Sequence, residues 1–112
     1  MSNDYQKKEQ VSGQVKISEN VIRSIAGVTA CEIEGVEGLA PVKQGLLRST
    51  LPVTVSLTGD RVEITVRLIL SSQVRLQSVA EQVQSEVKEN VQNMTGIVVS
   101  KVHVIASDIS FD

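Results

Sequence analysis

Few residues in this chain could do chemistry. Ser85 and Lys88 stand three apart, the minimal Ser-x-x-Lys spacing in which a lysine amine can take the proton of a serine nucleophile. Their neighbours Gln77, Glu81, Gln84, Glu89 and Gln92 recur as the wet face of one helix. No companion motif or oxyanion donor goes with the pair, so the spacing reads as chance. His103 is the single histidine. It alternates with Val102 and Val104, which turns it away from the core as a solvated strand residue. There is no second imidazole and no clustered Cys or Asp set, so no metal site is readable. Glu32, Glu34 and Glu37 gather near one helix end. A carboxylate pair works as acid and base only in a pocket that raises one pKa, and no such pocket is readable. They read as an exposed acidic patch. Its charge lies at the unfavourable end of a helix, which hints at a use outside folding. The glycines from Gly35 to Gly45 lack both the G-x-G-x-x-G spacing and a terminal Lys-Ser/Thr, so no nucleotide loop is supported. Cys31 is the only cysteine and sits in an apolar-periodic stretch, which predicts a buried, reduced thiol. No catalytic residue, cofactor site or metal site is assigned.

The elements that would hold these residues are easier to read. The 112 residues suit one domain, with residues 1–10 a flexible polar tail and 11–112 a single α+β unit. Aromatics are 2% of the chain, so the core must be aliphatic. The net charge is −2 with interspersed signs, which gives no overall pull toward nucleic acid or anionic lipid. The first ten residues have no apolar signal-peptide core, and no run reaches the length of a spanning helix. Both point to a cytoplasmic protein without transmembrane insertion.

Val11, Gly13, Val15 and Ile17 alternate with polar residues and predict a first strand. Ser18 is placed to cap a helix over Glu19–Glu34. Ile22, Ile25, Ala26, Thr29 and Ile33 form its buried stripe, which Val21 and Val28 widen. Gly27 is tolerable there if another backbone comes close, and Gly35 is placed as a left-handed C-cap. From Gly35 to Leu51 periodicity fails and a long loop is expected, rich in leucine. Pro52–Leu70 reads as a hairpin turning at Gly59-Asp60, pairing Leu57 with Val62, Val55 with Ile64 and Val53 with Val66 on one apolar face. Ser71 or Ser72 would cap a second helix over Gln73–Met94. Its stripe is Leu76, Val79, Ala80, Val83, Val87, Val91 and Met94. After Gly96, Ile97–Ala106 reads as the last strand, with Val98, Val102, Val104 and Ala106 on one face. The β-α-β-β-α-β order predicts a two-layer sandwich, two helices on one face of a small mixed or antiparallel sheet. The outer sheet face is polar. Arg61, Arg67 and Lys101 could touch phosphates there, an alternative RNA-binding reading that the lack of stacking aromatics weakens.

Several segments in order carry a family resemblance. Gly13-Gln14-Val15-Lys16-Ile17-Ser18 leads into Val21-Ile22 and Ile25-Ala26. That helix ends in Cys31-Glu32-Ile33-Glu34-Gly35-Val36. Val79-Ala80-Glu81-Gln82-Val83 follows, and Met94-Thr95-Gly96-Ile97 leads into Val102-His103-Val104. Together they resemble the alkaline-shock, or general-stress, envelope protein family of Gram-positive bacteria. The resemblance implies a small non-enzymatic cytoplasmic protein of cell-envelope stress response and homeostasis. It implies self-association into a homo-oligomer and protein partners, among them a membrane-anchored one that holds it at the inner face of the membrane. It supplies no catalytic residues. With the apolar loop it puts partner contact at Glu34, Glu37, Leu39, Val42, Lys43, Leu46, Leu47 and Arg48.

Overall fold

Ser18 opens the first helix as expected. Its backbone is extended and its Oγ accepts the Val21 N–H at 3.3 Å. The computed structural model describes residues 17–41, 43–44 and 49–111, with 43, 44, 49 and 50 described by their backbone only. The polar tail and, apart from Ile17, the expected first strand lie outside the described residues.

Helix α1 spans Glu19–Cys31. It stops three residues short of the expected end, where the Glu32 N–H turns back to the carbonyls of Val28 and Thr29. Ile22, Ala26, Thr29 and Ile33 are buried and Ile25 is half-buried. Val21 and Val28 do not widen the buried stripe; Val28 is 60% exposed, on the helix side away from the sheet. Cys31 is exposed rather than buried, because Ala30 and Ile33 take the inward positions of that turn. Gly27 is approached by side chains, not by backbone: a Cβ there would lie 3.3 Å from Leu39 Cδ1.

The expected loop contains a strand. β1 (Val36–Leu39) pairs antiparallel with the far half of the central strand, aligning Val36 with Leu70 and Leu39 with Leu68. A bulge at Glu37 lets both apolar ends face inward. A two-residue ladder follows, β2 (Lys43–Gln44) with β3 (Ser49–Thr50). β4 (Val53–Thr58) and β5 (Arg61–Ser71) form the hairpin in the expected register, turning at Gly59 with φ +63°. Leu57 pairs with Val62 yet is 58% exposed, because it lies near the hairpin tip.

Helix α2 covers Leu76–Thr95, and Val79, Val83, Val87 and Val91 are its buried stripe. Neither serine caps it. The N-cap is Arg75, while the Ser71 hydroxyl accepts from Gln73 N–H in the turn before it. Leu76 and Met94 lie at the ends of the stripe, beyond the core, and are exposed. Thr95 and Gly96 close the helix. The Thr95 hydroxyl donates to the Val91 carbonyl and accepts from Ile97 N–H, and Gly96 takes φ +77°.

β6 (Val99–Ser110) then runs parallel to β5 along its other edge. It starts and ends later than expected. Val99, not Val98, faces the core, because Ser100 forms a bulge and its hydroxyl bonds the Val62 carbonyl at 3.0 Å. A second bulge at Ser107 leaves Ala106 exposed, and Ile109 pairs with Leu70 to extend the strand. The result is an α+β sandwich, with both helices on one face of a four-stranded mixed sheet. β5 is its central strand, with β6 on one edge and β4 followed by β1 on the other. Ile64, Val66 and Leu68 in β5 are fully buried under the two helices.

Candidate interaction surface

The most irregular part of the chain is tied to one residue. At Arg67 the edge of β5 passes from β1 to β4. The Arg67 carbonyl accepts from Ala40 N–H at 2.9 Å, and the Arg67 N–H donates to the Pro52 carbonyl at 2.7 Å. Its guanidinium also reaches the Leu51 carbonyl at 3.4 Å. The chain thus leaves the sheet after Ala40 and rejoins it at Pro52, so both feet of this excursion are pinned to one residue. Beside the feet, Leu39, Leu51 and Pro52 with Asn20, Arg23 and Ser24 of α1 line a shallow depression of about 270 Å³. Arg23 is held over the first turn by Glu19 and Asn20.

The expected contact residues fall into three groups. Glu34 and Glu37 are exposed, one in the turn after α1 and one at the bulge of β1. Leu39 is half-buried and packs against the core, so it anchors the base of the excursion rather than standing free. Lys43 lies in β2. Its side chain, with Val42, Leu46, Leu47 and Arg48, is outside the described residues. The structure therefore joins the acidic turn to the excursion through one short strand.

The outer sheet face holds the alternative RNA contacts apart. Arg61 is exposed beside the hairpin turn, Arg67 is engaged with Leu51, and Lys101 lies in register with Glu63. Glu63 also meets His103 at 3.1 Å; both side chains are almost half exposed, so solvent screens the pair and it is worth little. Acidic groups are thus interleaved with the cations. Ser85 and Lys88 line an open groove of about 510 Å³ with Glu81, Gln84, Ser100, Lys101 and His103. No hydrogen bond joins Ser85 to Lys88 across that open groove. Glu32 lines a shallow groove with Ile25, Val28, Asn90 and Met94, without a second carboxylate. Among the described residues no three His, Cys, Asp or Glu side chains come together as a metal set. Nor is any helix there long and apolar enough to cross a membrane.

Sequence reasoning missed three details. The Asn90 amide donates to the buried Thr29 hydroxyl at 3.1 Å and ties α2 to α1. Gln92, a wet-face residue by its helical spacing, accepts from Val99 N–H at 3.0 Å and links α2 to the start of β6. Gly35 has the expected left-handed backbone at φ +100°, but α1 is capped earlier, at Glu32, and the close approach was missed: a Cβ on Gly35 would come within 2.9 Å of Val79. Only for Gly35 was there a signal, a glycine at the end of an apolar helical pattern.

A family profile matches residues 7–111, that of the alkaline-shock protein 23 family, with cell envelope-related function. Uncharacterized protein YqhY of Bacillus subtilis is 28% identical over 107 residues, covering 89% of this chain and 79% of that protein. Uncharacterized protein YloU of the same organism is 31% identical over 106 residues, covering 87% and 88%. Among solved structures, a MamM CTD variant gives a TM-score of 0.51 at 13% identity, covering 82% of this chain and 95% of that one. A copper form of another MamM CTD variant gives 0.51 at 12%, covering 82% and 98%. The likeness to these structures is one of fold alone.

Proposed function

This chain belongs to the alkaline-shock protein 23 family of cell envelope-related proteins, and on that premise we propose that it is a non-enzymatic interaction module of envelope homeostasis. It works by binding copies of itself and a protein partner at the inner face of the membrane. The observation that carries this reading is the excursion at 41–51. Two backbone hydrogen bonds to Arg67 fix its feet, and β1 leads into it from the exposed Glu34 and Glu37. Conformational fixing at the feet lowers the ordering cost of binding, and Leu46 and Leu47 offer the apolar centre that a protein interface needs. Glu34, Glu37, Lys43 and Arg48 bring charges of both signs to its rim, and Val42 adds to the apolar part. In this reading a membrane-anchored partner supplies the attachment.

The test places a photo-crosslinking amino acid at Glu37 or Leu46 in Gram-positive cells and follows the chain through fractionation. The expected result is a discrete protein adduct and recovery with the envelope fraction. Both should be lost in the Leu46→Asp, Leu47→Asp double variant. A chain that forms no adduct and spreads evenly through the cytosol refutes the reading.

A further inference from the structure

Among the described residues β6 pairs only with β5, along one edge. Half of its backbone N–H and C=O groups therefore point away from the sheet, a template for one more strand. Between the bulges at Ser100 and Ser107 the strand is regular over six residues, 101–106. That run holds no proline, and Val102, Val104 and Ile105 give it high β-propensity. Beside it the flank of α2 at Gln84, Ser85 and Lys88 completes the groove of about 510 Å³. The charges there balance. Lys88 and Lys101 are offset by Glu81 and by Glu63, which lies in register with Lys101 and meets His103. Such a groove takes an extended chain by its backbone, not a polyanion by its field. A second β6 edge does not fit it. α2 packs over β6, so two copies joined edge to edge would bring their α2 helices to about one strand spacing, roughly 5 Å, against the roughly 8–10 Å of packed helices.

The sequence predicts one strand more than the described sheet holds. Val11, Gly13 and Val15 alternate with Ser12, Gln14 and Lys16. Residues 11–16 lie outside the described residues and lead to Ile17, which packs against the core. They match the regular run of β6 in length. Added there, Val11, Gly13 and Val15 continue the inner face of Val102 and Val104, and Ser12, Gln14 and Lys16 continue the polar face of Lys101 and His103. The segment cannot reach that edge in its own copy. The first turns of α1 lie beside Leu51, Pro52 and Val53, at the start of β4. A strand added to β6 is three spacings from β4, about 14 Å, whereas the chain from Lys16 to Glu19 spans at most about 11 Å. Its own β4 edge does not suit it either. A strand there, running through α1 into parallel β1, would cross over with the hand opposite to that of β5-α2-β6, and such crossovers keep one hand.

We propose that residues 11–16 of one copy of this chain add as a strand to the free edge of β6 in a second copy, in the groove beside α2. Exchanged both ways about a two-fold axis, the two segments close a dimer and cover that edge in each copy. The inference rests on the self-association in the reading above and gives it a surface distinct from the 41–51 excursion. A standard interface covers about 800 Å² and roughly 20–30 residues per partner. A short exchanged strand falls short of that, so the dimer is weak, with a Kd on the order of micromolar or above.

Sedimentation equilibrium and amide hydrogen exchange on the full chain test this. The expected result is a monomer–dimer equilibrium in which alternate amides of 101–106 exchange slowly only at concentrations where the dimer forms. Gln14→Pro combined with Val15→Pro removes ladder donors from the segment. It should raise the Kd at least about tenfold and make those amides fast. Lys7→Pro, outside the segment, should change neither. Slow exchange of the Ile64, Val66 and Leu68 amides in the central strand confirms that each variant folds. A dimer that survives the double substitution overturns the added strand and leaves self-association standing. A strictly monomeric wild type overturns both. Association that the double variant loses while the 101–106 amides are fast throughout puts the segment on another surface and overturns the β6 edge. Protection of 101–106 that the variant loses but that does not depend on concentration means that the segment covers its own copy, and overturns the second one.

Discussion

Replacing Gly35 by alanine should be among the most damaging single-methyl changes in this protein. Two effects add. Gly35 sits at φ +100°, where an L side chain costs about 1–2 kcal/mol. The new methyl would also stand 2.9 Å from Val79 Cγ2 and 3.1 and 3.2 Å from the two γ-methyls of Val74. Val79 is buried on α2 and cannot swing away freely, so relief requires shifting α2 or the turn, at about 1–3 kcal/mol for an overpacked site. Alanine also restricts the unfolded chain, which returns about 0.4–1 kcal/mol. The net loss is about 2–4 kcal/mol, a large share of the roughly 5–15 kcal/mol that holds a domain folded. Urea unfolding followed by helical circular dichroism reads this as a midpoint lowered by roughly 2 M.

Two other glycines separate the causes. Gly96 has φ +77° with nothing within 4 Å of a Cβ, so Gly96→Ala should feel the backbone effect alone, about 1 kcal/mol. Gly38 lies in β1 with no positive φ and no neighbour within 4 Å, so Gly38→Ala should change stability by less than about 0.5 kcal/mol. Adding Val79→Ala to Gly35→Ala removes the closest obstacle. The pair should couple favourably by about 1 kcal/mol against the sum of the single changes. If Gly35→Ala costs no more than Gly96→Ala, or if the double change is additive, the steric argument is wrong.

Further predictions follow from the core and the caps. Ile64→Ala, in the middle of the buried central strand, should cost about 3–4 kcal/mol by calorimetry. Ser18→Ala should cost about 1 kcal/mol through the lost cap, whereas Ser72→Ala should be nearly silent, because Ser72 caps no helix; the same urea melts compare them. Asn90→Ala leaves the buried Thr29 hydroxyl without its partner and should cost about 1–2 kcal/mol, with Thr29→Val recovering part of that in the double variant. Cys31 is exposed in the native state, so a thiol reagent should label it stoichiometrically without denaturant; a thiol that reacts only on unfolding contradicts its position.

The parts of the fold that were legible are those where one signal had no competitor. In the hairpin, strict alternation and a single glycine left one register that puts Val53, Val55 and Leu57 on the face of Val62, Ile64 and Val66. That register is the one formed. β1 was illegible for the opposite reason. Val36-Glu37-Gly38-Leu39 is four residues long, holds a glycine, and keeps both ends inward only by spending Glu37 on a bulge. Alternation cannot reveal a strand whose period is broken in its middle. The same physics moved the last strand by one residue. Ser100 is the extra residue there, and its hydroxyl finds the Val62 carbonyl, which no local pattern announces. The parallel pairing of β5 with β6 was illegible in kind: alternation says which face a residue takes, not which strand lies beside it.

Valine widens the helical stripe that the sequence of α1 suggests. With so few aromatics, both the interior and the exposed side of α1 are built from the same small aliphatics. A stripe through Ile22, Ile25 and Ala26 therefore merges in the sequence with Val21 and Val28. Only burial tells them apart, and burial depends on where the sheet lies. The same ambiguity bears on function. Among the described residues no metal-type cluster marks a site, so the surface is read from what the core leaves over. Val28 and Met94 are such leftovers: both are largely exposed beside one groove, and the core needs neither. A polar residue at either should therefore change stability by less than about 0.5 kcal/mol, whereas the same change at fully buried Ile22 should unfold the domain; a large loss at Val28 would show that the core does use it.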